Sequence, residues 1–211
     1  MALAWLHGMV LAFGLILPLG VQNIFIFNQG AAHKQFTRAL PSIITASICD
    51  TVLTLLAVLG VSMLLWKIVW LKTALVVVGA CFLLYLGYMT WRSTTNAANV
   101  TTHASFTWRK QVMFAASVSL LNPHAIMDTI GVIGTSSTAY TGNEKVAFTV
   151  ACILISWIWF LSLAWAGKIV GKVDNTGRIM HVINKMAAIL IWLAAAYLIY
   201  SGSFSLVQHS K

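Results

Sequence analysis

An apolar run from about Gln111 to Thr135 is long enough to cross a bilayer, but its middle carries Asn122-Pro123, His124 and Asp128. Proline interrupts the hydrogen-bond ladder of a helix, and a charged group at the bilayer centre costs at least about 2.5 to 3.5 kcal/mol. Groups this costly are retained in hydrocarbon where a protein uses them or bonds them internally. The run therefore predicts a membrane helix interrupted at a functional site, with a simple kink and an internally bonded carboxylate as the alternative.

The order of residues in this stretch predicts that a helix begins inside the membrane. Asn122 is a favoured N-cap, and Pro123 would occupy the first helical position, where its missing N–H costs nothing. The free N–H groups and the dipole of such a helix end attract an anion such as a carboxylate. His124 and Asp128 follow at i and i+4, on one face. Asp128 lies about 9 Å beyond Asn122, so one zwitterion can reach a positive and a negative pole.

The composition supports this membrane assignment. Of the 211 residues, 60% are hydrophobic and 8% charged, against roughly 25% charged in an average soluble domain. The net charge of +9 reflects 13 Lys+Arg against 4 Asp+Glu, without the basic cluster that nucleic-acid binding requires. Cys49, Cys81 and Cys152 are single and widely spaced, so no metal site, disulfide framework or cofactor is predicted.

A second interruption is predicted in the first apolar span, where Pro18 and Gly20 weaken the helix. Gln22 and Asn23 follow this break directly. Their amides are candidates for binding a substrate, and the sequence leaves open that they only hold neighbouring helices together.

The second span carries Asp50 within a polar stripe that includes Ser47, Thr51 and Thr54. Such a stripe must face protein or water, because lipid offers it no hydrogen-bond partner. We predict a transport role for Asp50, with structural hydrogen bonding as the alternative. The fifth span contains Trp157, Trp159 and Trp165, which are interpreted as lipid-facing or interfacial, with contact to a cationic substrate as the alternative.

Two weak internal correspondences indicate a duplication. Gly20-Val21-Gln22 precedes Asn122-Pro123-His124 by 102 positions, and Tyr85-Leu86-Gly87-Tyr88 is followed 112 positions later by Tyr197-Leu198-Ile199-Tyr200. Because each half would hold three spans, similar halves must be inverted in the membrane, and paired broken helices in such repeats mark transporter sites.

The predicted fold is therefore all-α. It is a polytopic membrane protein with six transmembrane helices in a three-plus-three inverted repeat and with discontinuous helices 1 and 4. The chain 1–211 forms a single transmembrane domain, with halves at about 1–92 and 110–204 and a polar linker at about 93–109. The predicted spans cover 3–28, 41–66, 73–91, 111–135, 146–167 and 186–204, with a basic loop at 168–185.

Lysine and arginine counts predict the orientation. The segments after spans 1, 3 and 5 hold nine of these residues and the opposite side holds four. The positive-inside rule then places both termini outside the cell. The protein is predicted to be a multi-pass protein of the cell membrane, in contact with lipid. A homo-oligomer is compatible with these features.

The motifs Asn122-Pro123-His124-Ala125 with Asp128-Thr129, Gly20-Val21-Gln22-Asn23 and Ile48-Cys49-Asp50-Thr51 resemble the LysE family of amino acid exporters, in its lysine and arginine branch. Val21 stands where that family usually carries proline. The resemblance covers essentially the whole chain and implies efflux of L-lysine, L-arginine or a related amino acid, driven by an ion gradient, rather than an enzymatic reaction.

The residues agree with a cationic amino acid as substrate. The helix end at Asn122 suits its carboxylate, and Asp50 and Asp128 suit its cationic groups. Export of a positive charge works against about 2.3 kcal/mol per 100 mV, so we predict proton antiport through Asp50 and Asp128, with His124 as a relay. The alternatives are an exporter of neutral amino acids or small metabolites and, less favoured by so few ligands, a cation or metal transporter.

Overall fold

The computed structural model describes residues 1–17, 20–33, 35–60, 69–92, 107–121, 126, 129–174 and 178–208, and the regular structure in these ranges is entirely helical. A 3₁₀ turn at Phe36–Ala39 precedes the third helix, and a π-helical turn at Thr129–Ile133 leads directly into the sixth. The all-α prediction is confirmed for this part of the chain. The helices are α1 (Ala2–Ile16), α2 (Val21–Ala32), α3 (Leu40–Val58), α4 (Val69–Arg92), α5 (Trp108–Leu120), α6 (Gly134–Ser137), α7 (Gly142–Val173) and α8 (Arg178–Gln208).

The first predicted span consists of two helices, α1 and α2, whose axes are inclined by 81°. α1 ends at Ile16, and α2 begins at Val21 after the extended N-cap residue Gly20 (φ −74°, ψ 173°). The break predicted around Pro18 and Gly20 lies between these two helices, and Val21 and the two residues that follow it are already helical and buried. Pro18 lies outside the described residues.

Within the described residues, two helical stretches, Phe36–Val58 and Gly142–Val173, are long and apolar enough to cross a membrane. The bent pair of α1 and α2 adds a third span if both parts belong to one crossing, and shorter apolar helices cover Val77–Arg92 and His181–Tyr197. These features are those of a polytopic membrane protein.

The predicted basic loop at 168–185 is wrong. α7 continues to Val173 and α8 begins at Arg178. Lys172 lies in the last turn of α7, where the helix dipole favours cations, and Lys168 lies one turn earlier, so both lysines belong to a helix rather than to a loop. α3 also ends earlier than the predicted span 41–66, because Gly60 adopts a left-handed conformation (φ +81°) just beyond it. Residues 61–68 lie outside the described part.

α7 supports both parts of the broken first span. α1 packs along its first half and α2 along its second half. The approach is closest at two glycines, because a Cβ on Gly30 would overlap the carbonyl oxygen of Ala164, and a Cβ on Gly167 would overlap that of Phe27. Small residues thus let α2 and α7 meet backbone to backbone, as is common between membrane helices.

α3 plays the corresponding role for the second half of the chain. It packs against α5, the segment 129–137 and α7, and Ala46 and Ala115 lie in one buried cluster. α4 and α8 pair with each other, and the Trp192 indole fills the space left by Gly87. The Nζ of Lys185 closes this pair by donating to the Trp91 carbonyl oxygen at 2.8 Å.

Candidate functional site

The polar side chains of three helices meet near the middle of α3 and α7. Asp50 lies close to the midpoint of α3 and is partly buried, and Gln22 lies in the first turn of α2 with 8% of its surface exposed. The amide Nε2 of Gln22 donates a hydrogen bond of 3.1 Å to Oδ1 of Asp50. Among the described residues this is the one hydrogen bond to the Asp50 carboxylate, and no basic side chain there pairs with it. The carboxylate therefore keeps capacity to accept further donors.

Asn23 spans the break between α1 and α2. Its amide Nδ2 donates to the carbonyl oxygen of Ile16, the last residue of α1, at 2.7 Å. Its Oδ1 accepts a hydrogen bond of 3.2 Å from the indole nitrogen of Trp159 on α7. Both ends of this amide thus hold the bent first span against α7. Its binding to a substrate stays a prediction.

Thr51 connects α3 to α7 at the same depth. Its hydroxyl donates to the carbonyl oxygen of Ser47 at 2.7 Å and accepts a hydrogen bond of 3.1 Å from the indole nitrogen of Trp157. The Ser47 hydroxyl is fully buried and has no hydrogen-bond partner among the described residues. We call this set the mid-depth polar layer, and its members are Gln22, Asn23, Ser47, Asp50, Thr51, Trp157 and Trp159.

The predicted lipid-facing or interfacial position is wrong for Trp157 and Trp159. Both are partly buried, and both donate hydrogen bonds inside the protein, whereas Trp165 is 63% exposed as expected. The signal was present in the sequence, because an indole N–H at mid-span needs an acceptor that hydrocarbon does not provide.

Asn122, Pro123, His124 and Asp128 lie outside the described residues. The helices on either side of them, α5 and the segment 129–137, both contact α3. The approach of these four residues to Asp50 stays a prediction. No group of three His, Cys, Asp or Glu side chains in the described part of the chain is placed to hold a metal ion.

A separate buried contact joins the C-terminal end of α2 to the first turn of α5. The amide nitrogen of Gln111 lies 3.0 Å from Nε2 of His33 and also donates to the carbonyl oxygen of Arg38 at 3.0 Å. His33 therefore accepts through Nε2, as a neutral imidazole can. Burial, and secondarily the Arg38 charge, lower the pKa of His33 from its usual value. This contact favours the neutral histidine and links the first and second halves of the chain.

Comparison with known proteins gives one family. The model of the LysE type translocators matches residues 13–202. The chain is 55% identical to a Bacillus subtilis protein named "Putative amino-acid transporter YisU" over 92% of this chain and 88% of the relative. It is 30% identical to the arginine exporter protein ArgO of Pectobacterium carotovorum over 94% of this chain and 97% of the relative, and 28% identical to that of Salmonella typhi over 94% of each. No solved structure matches significantly.

Proposed function

Because the chain belongs to the LysE type translocator family, we propose that this amino-acid transporter exports L-lysine and L-arginine across the cytoplasmic membrane in exchange for protons. The arginine exporters among its relatives support this class of substrate. The observation that carries the proposal is the carboxylate of Asp50, held at mid-depth by Gln22 with no basic partner among the described residues.

A carboxylate without a cationic partner is costly in a membrane unless a ligand or a proton balances it. The guanidinium of arginine or the ammonium of lysine supplies that charge, together with hydrogen-bond donors. The helix predicted to begin at Asn122 supplies the complementary pole for the substrate carboxylate. Asp128 is proposed as the second acid of the site. A neutral amino acid would leave one of the two acids without a counter-charge.

Proton exchange follows from energetics. Moving a substrate of charge +1 out of a cell that is negative inside costs about 2.3 kcal/mol per 100 mV. Inward proton movement supplies this energy if the same carboxylates bind substrate and proton alternately. Asp50 and Asp128 are the proposed carriers, and His124 is the proposed relay.

The proposed architecture is a six-helix inverted repeat, and the helix contacts support it. In the first half, the broken span made of α1 and α2 packs along α7, the fifth span. In the second half, α5 and the segment 129–137 pack along α3, the second span. α3 contacts α7 and α4 contacts α8. An exchange of the halves maps the first two contacts onto each other and each of the last two onto itself. Transporters built in this way place their site where the broken helices meet.

The proposed orientation has both termini outside. At one end of the molecule the Met1 amino group pairs with Glu144 at 2.7 Å. At the other end the Nζ of Lys168 lies 5.7 Å from the centre of the Phe36 ring, beside the basic residues that the positive-inside rule assigns to the cytoplasm.

The test is transport by purified protein in proteoliposomes. We expect counterflow of labelled arginine and lysine, faster when a pH gradient is imposed, and no uptake of divalent metals. Asp128→Asn and Asp50→Asn should abolish accumulation against a gradient, whereas Glu144→Gln, which removes an exposed acid, should not. Concentrative arginine transport by Asp128→Asn at the normal rate would refute the carrier assignment. Counterflow of neutral amino acids alone would refute the substrate class.

A further inference from the structure

A cavity of about 370 Å³ lies between the end of α3 and the segment 129–137. Val58 and Gly60 form one wall, Ile130 and Thr135 form the other, and Lys145 of α7 completes it. The volume is within the range of about 300 to 1,000 Å³ that is typical of small-molecule sites, which are mostly apolar with a few placed polar groups.

Both walls continue elements that carry the proposed transport site. Val58 lies eight residues beyond Asp50 on α3, which is about 12 Å along a helix. Ile130 follows the predicted acid Asp128 by two residues. A molecule that leaves the mid-depth polar layer between these two elements, towards the end of α3, reaches this cavity. That end is the one at which the Met1 amino group meets Glu144.

Lys145 supplies a cationic side chain to this cavity. Lys145 is partly buried, and no acid of the described residues pairs with it. The neighbouring acid, Glu144, is instead bonded to the Met1 amino group at 2.7 Å. A carboxylate that enters the cavity can therefore bind the ammonium group of Lys145, which no acid of the described residues occupies.

The same cavity offers acceptors for a cation. The hydroxyl of Thr138 donates to the carbonyl oxygen of Thr135 at 2.6 Å. The hydroxyl of Thr135 donates to the carbonyl oxygen of Gly131, and the carbonyl oxygen of Val132 is a second acceptor at 3.2 Å. With their hydrogens committed to the backbone, both hydroxyl oxygens retain lone pairs. The C-terminal end of α3 adds the negative pole of its dipole beside Val58.

We propose that this cavity is an exit-side binding site for the α-carboxylate and α-ammonium groups of the exported amino acid. Lys145 binds the carboxylate, and the threonine oxygens with the end of α3 bind the ammonium. The apolar wall around Val58 and Ile130 takes the side chain without selecting it. This inference rests on the proposed function and extends it, because selection then belongs to the mid-depth polar layer and the cavity recognises what all α-amino acids share.

Membrane vesicles of opposite sidedness test the site. Right-side-out vesicles present the outer face to labelled amino acid in the medium, and everted vesicles present the cytoplasmic face. Lys145→Gln should raise the half-saturating concentration of arginine about tenfold in right-side-out vesicles, as expected for one lost charge-assisted bond. In everted vesicles the same variant should change the half-saturating concentration of arginine less than twofold. The ratio of half-saturating concentrations between Lys145→Gln and wild type should be the same for lysine as for arginine. Lys145→Arg should bind as wild type does, and so should the adjacent variant Glu144→Gln.

The outcomes separate the two proposals. If wild-type vesicles transport neither arginine nor lysine, the proposed function fails and the exit-side site fails with it. If wild type transports both and Lys145→Gln leaves the right-side-out concentration unchanged, only the exit-side site is refuted. An effect confined to everted vesicles refutes its assignment to the exit. A cavity that binds lipid instead would make wild-type transport depend on anionic phospholipid in reconstituted vesicles, and Lys145→Gln would remove that dependence without changing half-saturation.

Discussion

The contact between α1 and α7 can be tested with two glycines of the same helix. A Cβ added at Gly8 would lie 2.6 Å from the carbonyl oxygen of Phe148 and 3.1 Å from the Cβ of Ala151. A Cβ added at Gly14 meets nothing within 4 Å. Both glycines are inside α1, so alanine brings both the same gain in helix propensity, about 0.5 to 1 kcal/mol. The difference between the two variants therefore isolates packing.

For Gly8→Ala, the carbonyl oxygen of Phe148 must move away by about 0.4 Å, because Cβ contacts shorter than 3.0 Å are essentially never found in proteins. It belongs to the backbone of α7, so the helices must separate rather than a side chain rotate. Overpacking of this kind costs about 1 to 3 kcal/mol. We expect Gly14→Ala to be more stable than Gly8→Ala by about 2 kcal/mol, which corresponds to about 4 to 8 °C in Tm for a chain of this length.

The measurement is thermal unfolding of the purified variants in one detergent, followed by intrinsic tryptophan fluorescence. Trp159, one of nine tryptophans, lies against Phe13 of α1 with ring centres 5.6 Å apart, so part of the change in emission reports on separation of α1 from α7. If Gly8→Ala raises Tm as much as Gly14→Ala does, the close contact between α1 and α7 is wrong.

Three further predictions concern the polar contacts. Gln22→Leu should slow arginine counterflow roughly tenfold, because the Asp50 carboxylate loses the donor that positions it; an unchanged rate would contradict this role. Trp159→Phe should lower Tm by about 2 to 4 °C, since it removes an indole hydrogen bond worth about 1 kcal/mol at the helix break. Trp165→Phe, at an exposed position, should leave Tm unchanged. His33 has a lowered pKa in the folded state, so the unfolded chain takes up a proton first and stability should fall as pH drops below 6.5. His33→Gln should weaken this pH dependence in thermal unfolding, and an identical pH profile would contradict the assignment.

The sequence predicted the helical class, the break in the first span and the polar character of Gln22 and Asp50. It did not predict that these two side chains bond to each other, because residues 28 positions apart are brought together only by packing of α2 on α3. Helix ends were less predictable. The charge of Lys168 and Lys172 predicts a loop, although long basic side chains are compatible with the last turns of a membrane helix.

The roles of Trp157 and Asn23 required the three-dimensional structure. An indole in an apolar span suggests a lipid interface by composition alone, and only the position of Thr51 opposite Trp157 reveals its acceptor. The amide of Asn23 makes two structural hydrogen bonds, since its nitrogen donates to Ile16 and its oxygen accepts from Trp159. Neither partner can be identified from sequence spacing.

The length of α7 has a mechanical consequence. At 32 residues it measures about 48 Å, whereas the hydrocarbon core of a bilayer is about 30 Å thick. Glu144 near one end and Lys172 near the other are charged and exposed, and they then lie at the level of the headgroups of the two leaflets. α1 and α2 are each too short to reach both surfaces. α7 can therefore stay fixed in the bilayer while α1 and α2 tilt against it during a transport cycle.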